Sequence, residues 1–309
     1  MKRSLSSSIT KLLSALLIAS LPAVLTVCLL SSCGAASTNQ AGTTAADGGK
    51  EETRDAGKTE KETDTGSEGE KEMEDKIDVL FVGNSFTYYN EMPGIFEDIA
   101  KSAGISAKVR SVTEGSARLE WFVDPEQSVS AEFTEALDKA GYEYVFLQEQ
   151  STRPYKNYDK YVSGIDSVRQ RILEKSPEAK IFLYETWGLA EDHESMAENG
   201  LTTLSMEQLL FDAAVSAGEE TDLPVCFAGV SMYRMYKDTE FSPYHTDLKH
   251  PSYKGSVEVA LTLFYSVFPD AEKDAVTFDR GLDGDCMDQL KAIAYTTAHS
   301  EDPASLLTD

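Results

Sequence analysis

Residues that bind metals, cofactors and polyanions are scarce in this sequence. Its 309 residues include only four histidines and four cysteines. No His-Glu-x-x-His and no Cys-x-x-Cys occurs, so neither a catalytic nor a structural zinc signature is present. Walker-type and Gly-x-Gly-x-x-Gly phosphate loops are missing too. Asp283, Asp285 and Asp288 lie close together, but their spacing does not fit an EF-hand loop. No metal and no cofactor are therefore expected. Basic residues number 28 against 53 acidic ones, a formal net charge of −25. That balance argues against nucleic acid as a partner and against electrostatic binding to anionic lipid. It reads as solubility and identifies no substrate.

What is there begins with an export signal. Lys2, Arg3 and Lys11 form a basic start, and Leu12 to Leu30 is an apolar stretch interrupted by Ser14, Ser20, Pro22 and Thr26. Leu30-Ser31-Ser32-Cys33 follows, with small residues before a cysteine. This looks like a bacterial lipoprotein signal, 1–33, in which Cys33 is lipidated and becomes the first residue after cleavage. The apolar stretch is also about long enough to span a bilayer uncleaved. Either way the remainder is expected outside the cytoplasm and held at a membrane through its N-terminus. Cleavage before Cys33 leaves 277 residues and, by removing three basic residues and no acidic one, takes the charge from −25 to −28.

Residues 34–75 contain small and charged residues, with almost no large apolar side chain before Met73. Such a segment cannot bury enough surface to offset its ordering entropy, so a disordered acidic tether is expected. The folded part runs over 76–309, long enough for one α/β domain with a sizeable core. Neither internal repeats nor a second domain are evident. Cys226 and Cys286 are the only cysteines in it. Cys226 sits in the apolar run Leu223–Ala228, so a buried thiol is favoured, although an exported location permits a disulfide.

Five short apolar runs read as strands: 77–82, 107–112, 144–147, 180–184 and 223–228. Helical patterns fall over 92–102, 131–140, 158–175 and 205–217, with a last pair over 256–268 and 285–299. Pro93 suits the first turn of the first helix and Gly104 the turn after it. Alternation of strands and helices predicts a mainly parallel sheet covered on both faces. Ligands bind such sheets outside the carboxyl ends of the strands.

Ser85 falls at one of those ends, where Ile77–Val82 breaks into Gly83-Asn84-Ser85-Phe86-Thr87. Gly83 permits a tight turn there, and backbone N–H groups beyond it can stabilise developing negative charge. Near the C-terminus comes Asp247-Leu248-Lys249-His250-Pro251. A spacing of three places Asp247 and His250 on one face of a helical turn. Pro251 instead limits His250 to extended backbone, which would bring the pair together across a tight loop. A serine, an imidazole and a carboxylate are the parts of an activated hydroxyl nucleophile. His245, His193 and His299 compete with His250 but lack its combination of carboxylate and proline.

Gly83-Asn84-Ser85 resembles the first block of the SGNH, or GDSL-type, hydrolases, in which the residue between Gly and Ser is usually Asp. Asp247 to Pro251, followed by Gly255 and an apolar helix, resembles their last block. The resemblance covers about residues 76 to 270 and implies a three-layer α/β/α sandwich with a mainly parallel five-stranded sheet, the flavodoxin-like SGNH hydrolase fold. It implies Ser85 as nucleophile, His250 as base and Asp247 as its orienter. Gly115, in Thr113-Glu114-Gly115-Ser116, best matches the glycine whose N–H joins Ser85 in the oxyanion hole. The family's third donor is an asparagine, but this chain has Leu147-Gln148-Glu149-Gln150-Ser151. Gln150 aligns by position, and Gln148 is the alternative. Asn84, Gln148 and Trp187 are expected to face substrate. Trp187, at a strand's carboxyl end, would offer a stacking face for a sugar, though core packing is an equal reading. The activity implied is that of a serine esterase acting on a small-molecule or glycan ester, with acetylated carbohydrate favoured. Alternatives are a non-catalytic carbohydrate-binding lipoprotein, and a lysophospholipase or thioesterase.

Overall fold

Val79 to Val82 supply apolar side chains to both faces of one extended run, and all four are buried. A computed structural model describes residues 76–308. The candidate signal, Cys33 and the acidic segment 34–75 lie outside the described residues. In chain order, strand β1 (Ile77–Gly83) is followed by the short helix α1 (Ser85–Tyr88), helix α2 (Met92–Ser102), strand β2 (Ala107–Thr113) and helix α3 (Ser128–Lys139). Strand β3 (Tyr144–Gln148) then leads to helices α4 (Arg153–Lys156) and α5 (Tyr158–Lys175) and to strand β4 (Lys180–Tyr184). Helices α6 (Glu194–Asn199) and α7 (Thr203–Thr221), strand β5 (Val225–Cys226) and helices α8 (Ala228–Asp238), α9 (Tyr253–Val267) and α10 (Gly284–Ala298) complete the chain.

The sheet order is β2-β1-β3-β4-β5, and every pair is parallel. Alternate residues of β1 point to opposite layers. Val79 and Phe81 join one core, where Phe81 stacks on Phe146 and meets the edge of Phe96 from α2. Leu80 and Val82 join the other, with Phe133 of α3 and Ile165 of α5. Burial on both faces explains why these strands read as unbroken apolar runs. The result is a three-layer α/β/α sandwich. Strand order reverses at β1, which has β2 on one side and β3 on the other, so the crevice beyond the carboxyl ends of β1 and β3 is the site such a sheet offers.

One expectation needs correction. The fifth strand is two residues long rather than 223–228, because Ala228 already opens α8, a helix the periodicity did not suggest. That helix starts against a buried carboxylate: Glu185 accepts the Gly229 N–H at 2.7 Å and the Val230 N–H at 3.4 Å. Gly229 is required because a Cβ would strike Thr186 O and both Glu185 and Glu207. Cys226 and Cys286 are both free and buried, so no bridge forms between them.

Glu185 and Glu207 are fully buried beside each other. Glu207 also accepts the Gly188 N–H at 2.6 Å. Burial raises both acids above the ordinary carboxylate range, and their mutual repulsion raises Glu185 further. The pair therefore shares a proton at pH values where ordinary carboxylates are fully ionised. Because the folded state holds a proton that the unfolded chain releases, stability must fall as pH rises from the ordinary carboxylate range through neutrality. Glu207→Gln supplies a neutral donor to Glu185 and an acceptor for Gly188. The variant should unfold at higher denaturant than the parent at pH 8, with a flatter dependence of midpoint on pH between 5 and 9. A midpoint that stays parallel to the parent's across that range would refute the shared proton.

Candidate active site

The turn after β1 is built around Gln148, not around glycine's backbone freedom. A Cβ on Gly83 would lie 2.5 Å from Gln148 Oε1 and 2.6 Å from Thr87 Oγ1. The absence of that Cβ lets Gln148 Oε1 accept both the Asn84 N–H at 2.8 Å and the Thr87 hydroxyl at 2.9 Å. Asn84 is the N-cap of α1: its Oδ1 accepts the Phe86 N–H at 3.1 Å, while its Nδ2 donates to Ala117 O at 3.0 Å. Ser85 thus occupies the first position of a helix, where a backbone N–H has no intrahelical acceptor.

The segment before α9 brings the imidazole to that serine. Asp247 and His250 meet across a tight loop rather than on a helix. Leu248 is left-handed at φ 62°, and an isolated bridge pairs Tyr244 with Pro251. Asp247 Oδ1 accepts the backbone N–H groups of Lys249 at 3.1 Å and His250 at 2.9 Å. Its Oδ2 lies 2.6 Å from His250 Nδ1, and His250 Nε2 lies 2.8 Å from Ser85 Oγ. Burial alone would raise Asp247, but the hydrogen bonds from the His250 ring and from the His250 and Lys249 backbone pull it down to about 2. An ionised carboxylate can only accept, so Nδ1 carries the proton and Nε2 is left to accept from the serine hydroxyl. His245 is the rival only for Asp247: its Nδ1 lies 3.7 Å from Oδ2. His193 caps α6, and His299 bonds Tyr295 O and Pro269 O.

Three residues expected to face substrate are committed elsewhere. Trp187 is 0% exposed, stacks on Phe86 at 4.4 Å, and donates from Nε1 to Lys249 O at 3.0 Å. It offers no stacking face, and instead supports the His250 loop from the core. Trp187→Ala should cost about 3–5 kcal/mol of stability, read by chemical denaturation. A loss below about 1 kcal/mol would show that the ring does not carry the loop. Gln148 is 1% exposed, with its oxygen in the β1 turn and its nitrogen donating to Glu149 O. It is therefore unavailable as a donor to an oxyanion. Asn84 is buried and holds the 114–117 turn rather than ligand.

Gly115 is exposed in that turn, beside the Tyr88 hydroxyl. Gln150 is partly buried. Its Oε1 accepts from the Thr152 and Arg153 N–H groups, while Nε2 makes only a long 3.3 Å bond to Ser151 Oγ. Between the two turns lies Glu149, which the sequence reading did not single out. It accepts the Gln150 N–H at 2.6 Å and the Leu119 N–H at 3.4 Å, and burial pushes it up to about 7. Its position directly after an apolar strand was the available signal. Among the described residues, no group of three or more His, Cys, Asp or Glu could hold a metal ion.

No protein-family model matches the sequence, and no curated protein matches it significantly. Solved structures do share its fold. A candidate SGNH hydrolase from Slackia heliotrinireducens is 24% identical, with a TM-score of 0.53 over 61% of this chain and 97% of its own. A DUF4886 family protein from Bacteroides uniformis is 17% identical, with a TM-score of 0.63 over 72% of this chain and 95% of its own. The described domain has the SGNH hydrolase fold.

Proposed function

We propose that the protein is a serine ester hydrolase, with Ser85 as nucleophile, His250 as base and Asp247 as the group that fixes the imidazole. The observation that carries this reading is the unbroken line Asp247 Oδ2–His250–Ser85 Oγ, with separations of 2.6 and 2.8 Å. In the reaction, Ser85 Oγ attacks the ester carbonyl while its proton passes to His250 Nε2. The Ser85 and Gly115 N–H groups and the Gln150 amide are the donors suited to the oxyanion. The imidazolium then protonates the leaving alcohol, and water, activated by the same nitrogen, releases the acid.

The natural substrate in this reading is an acetyl ester of carbohydrate, met outside the cytoplasm by a domain anchored through lipid at Cys33. The segment 34–75 carries five basic and twelve acidic residues, which favours standing clear of an anionic membrane. Residues 188–204 are rich in Glu, Asp, Asn and Thr and suit hydroxyl groups better than acyl chains. Their only buried apolar members, Leu189, Ala190 and Met196, pack into the core. The test is kcat/KM on matched aryl acetate and palmitate, then acetate release from acetylated oligosaccharides. Acetate should be favoured by a wide margin. Preference for palmitate would overturn the carbohydrate reading and leave the ester hydrolase.

A further inference from the structure

The chain between Ser85 and α2 contains an unusual turn. Asn90 and Glu91 are consecutive left-handed residues, at φ 53° and 57°, and neither is glycine. Strained backbone of this kind persists only when its surroundings hold it. Here they do so across more than 160 residues of sequence. Asn90 Nδ2 donates to Pro251 O at 3.0 Å and to Ser256 Oγ at 2.9 Å, reaching the residue after His250 and the first turn of α9. Ser256 Oγ also approaches Tyr89 O at 3.4 Å. The neighbouring Tyr89 ring lies flat on the His250 imidazole, with centroids 4.2 Å apart and planes 7° apart. Phe86 meets the same imidazole edge-on, with centroids 5.7 Å apart.

We propose that Tyr89 and Asn90 form a strut that sets how the His250 imidazole meets Ser85. The inference rests on the ester hydrolase reading for its kinetic consequence, though not for its geometry. Asp247 fixes the loop only from its own side, through bonds within residues 247–250. The serine and the histidine come from opposite ends of the domain, and the Asn90 amide ties one segment to the other beside the reacting atoms. An Asn is suited to the task because it tolerates a left-handed backbone while keeping an amide donor. Tyr89 adds a flat wall that resists tilting of the imidazole about its bond to Asp247. Both are positioning residues: they act on the imidazole and not on substrate.

Four variants test the strut: Asn90→Gly, which relaxes the backbone and removes the amide; Asn90→Asp, which keeps the size and removes both donors; Tyr89→Ala; and Tyr89→Phe. The first readout is the downfield NMR signal of the His250 Nδ1 proton, which needs no turnover. It should be sharp in the parent and in Tyr89→Phe, and broadened or lost in the other three. The second is steady-state kinetics on aryl acetate. Misplacing a reacting group by about 1 Å costs on the order of 10²-fold, so kcat should fall by about that factor in those three with KM little changed. If Asn90→Gly fails to fold, Asn90→Asp carries the test. An unchanged proton signal in both Asn90→Asp and Tyr89→Ala refutes the strut, as does a kcat equal to the parent's. A parent that hydrolyses no ester refutes the proposed activity alone, and the proton signal still decides the strut.

Discussion

Ser85→Ala should abolish ester hydrolysis while leaving the protein folded. Among the described residues, the hydroxyl is the one hydrogen-bonding group at His250 Nε2, at 2.8 Å. Loss of one member of such a triad typically costs on the order of 10⁴ or more in kcat. The substitution should not disturb the fold, because the turn is held by Asn84, Thr87 and Gln148 and the serine side chain is not part of that network. The check is kcat for parent and variant on aryl acetate, with thermal unfolding alongside. Hydrolysis near the parent rate by a well-folded variant would mean that the nucleophile lies elsewhere.

His250→Ala should be almost as damaging, and Asp247→Asn should follow it for a reason visible in the hydrogen bonds. Asp247 Oδ1 is fixed as the acceptor of two backbone N–H groups, so an Asn must place its oxygen there. Its NH₂ would then face His250 Nδ1, which could only accept. The remaining proton would sit on Nε2, pointing at Ser85, and the imidazole could no longer take the serine proton. A wrong tautomer of this kind costs about 10⁴ in kcat. Since Asp247 is held at about 2, it stays ionised over the whole range in which esters are assayed, and no loss of activity above pH 4 should trace to it. Should His245→Ala prove inactive and His250→Ala active, the base is assigned to the wrong side of the Asp247 carboxylate.

The sequence made the architecture readable where local pattern and burial agree. β4 and the helices α2 and α5 fall on the residues that periodicity indicated, because each helix presents an apolar stripe to one core and β4 supplies apolar side chains to both. The turn carrying Ser85 and the loop carrying His250 were readable as motifs, yet their meeting depends on contacts between residues 165 apart. Trp187 was misread because a tryptophan at a strand end suits a binding face and a core position equally; only its stacking on Phe86 decides between them. Helix α8 escaped notice because its start is fixed by Glu185, a carboxylate 44 residues earlier in the chain, directly after β4. Buried acids such as Glu149, Glu185, Glu207 and Glu258 look like surface residues in a sequence, since a charged side chain is rarely buried without partners. Tyr89 and Asn90 sit in a run that reads as an ordinary turn, and their reach to His250 and Pro251 appears only in three dimensions.

The most direct measurement of the central claim is covalent trapping of the nucleophile. A fluorophosphonate reacts with a serine only where a neighbouring base takes its proton and donors hold the new oxyanion. The purified protein, treated with the reagent and examined by mass spectrometry, should carry a single phosphonyl group on the peptide containing Ser85. His250→Ala should remain unmodified under the same conditions. A protein that is not labelled, or is labelled at another residue with Ser85 intact, would contradict the account.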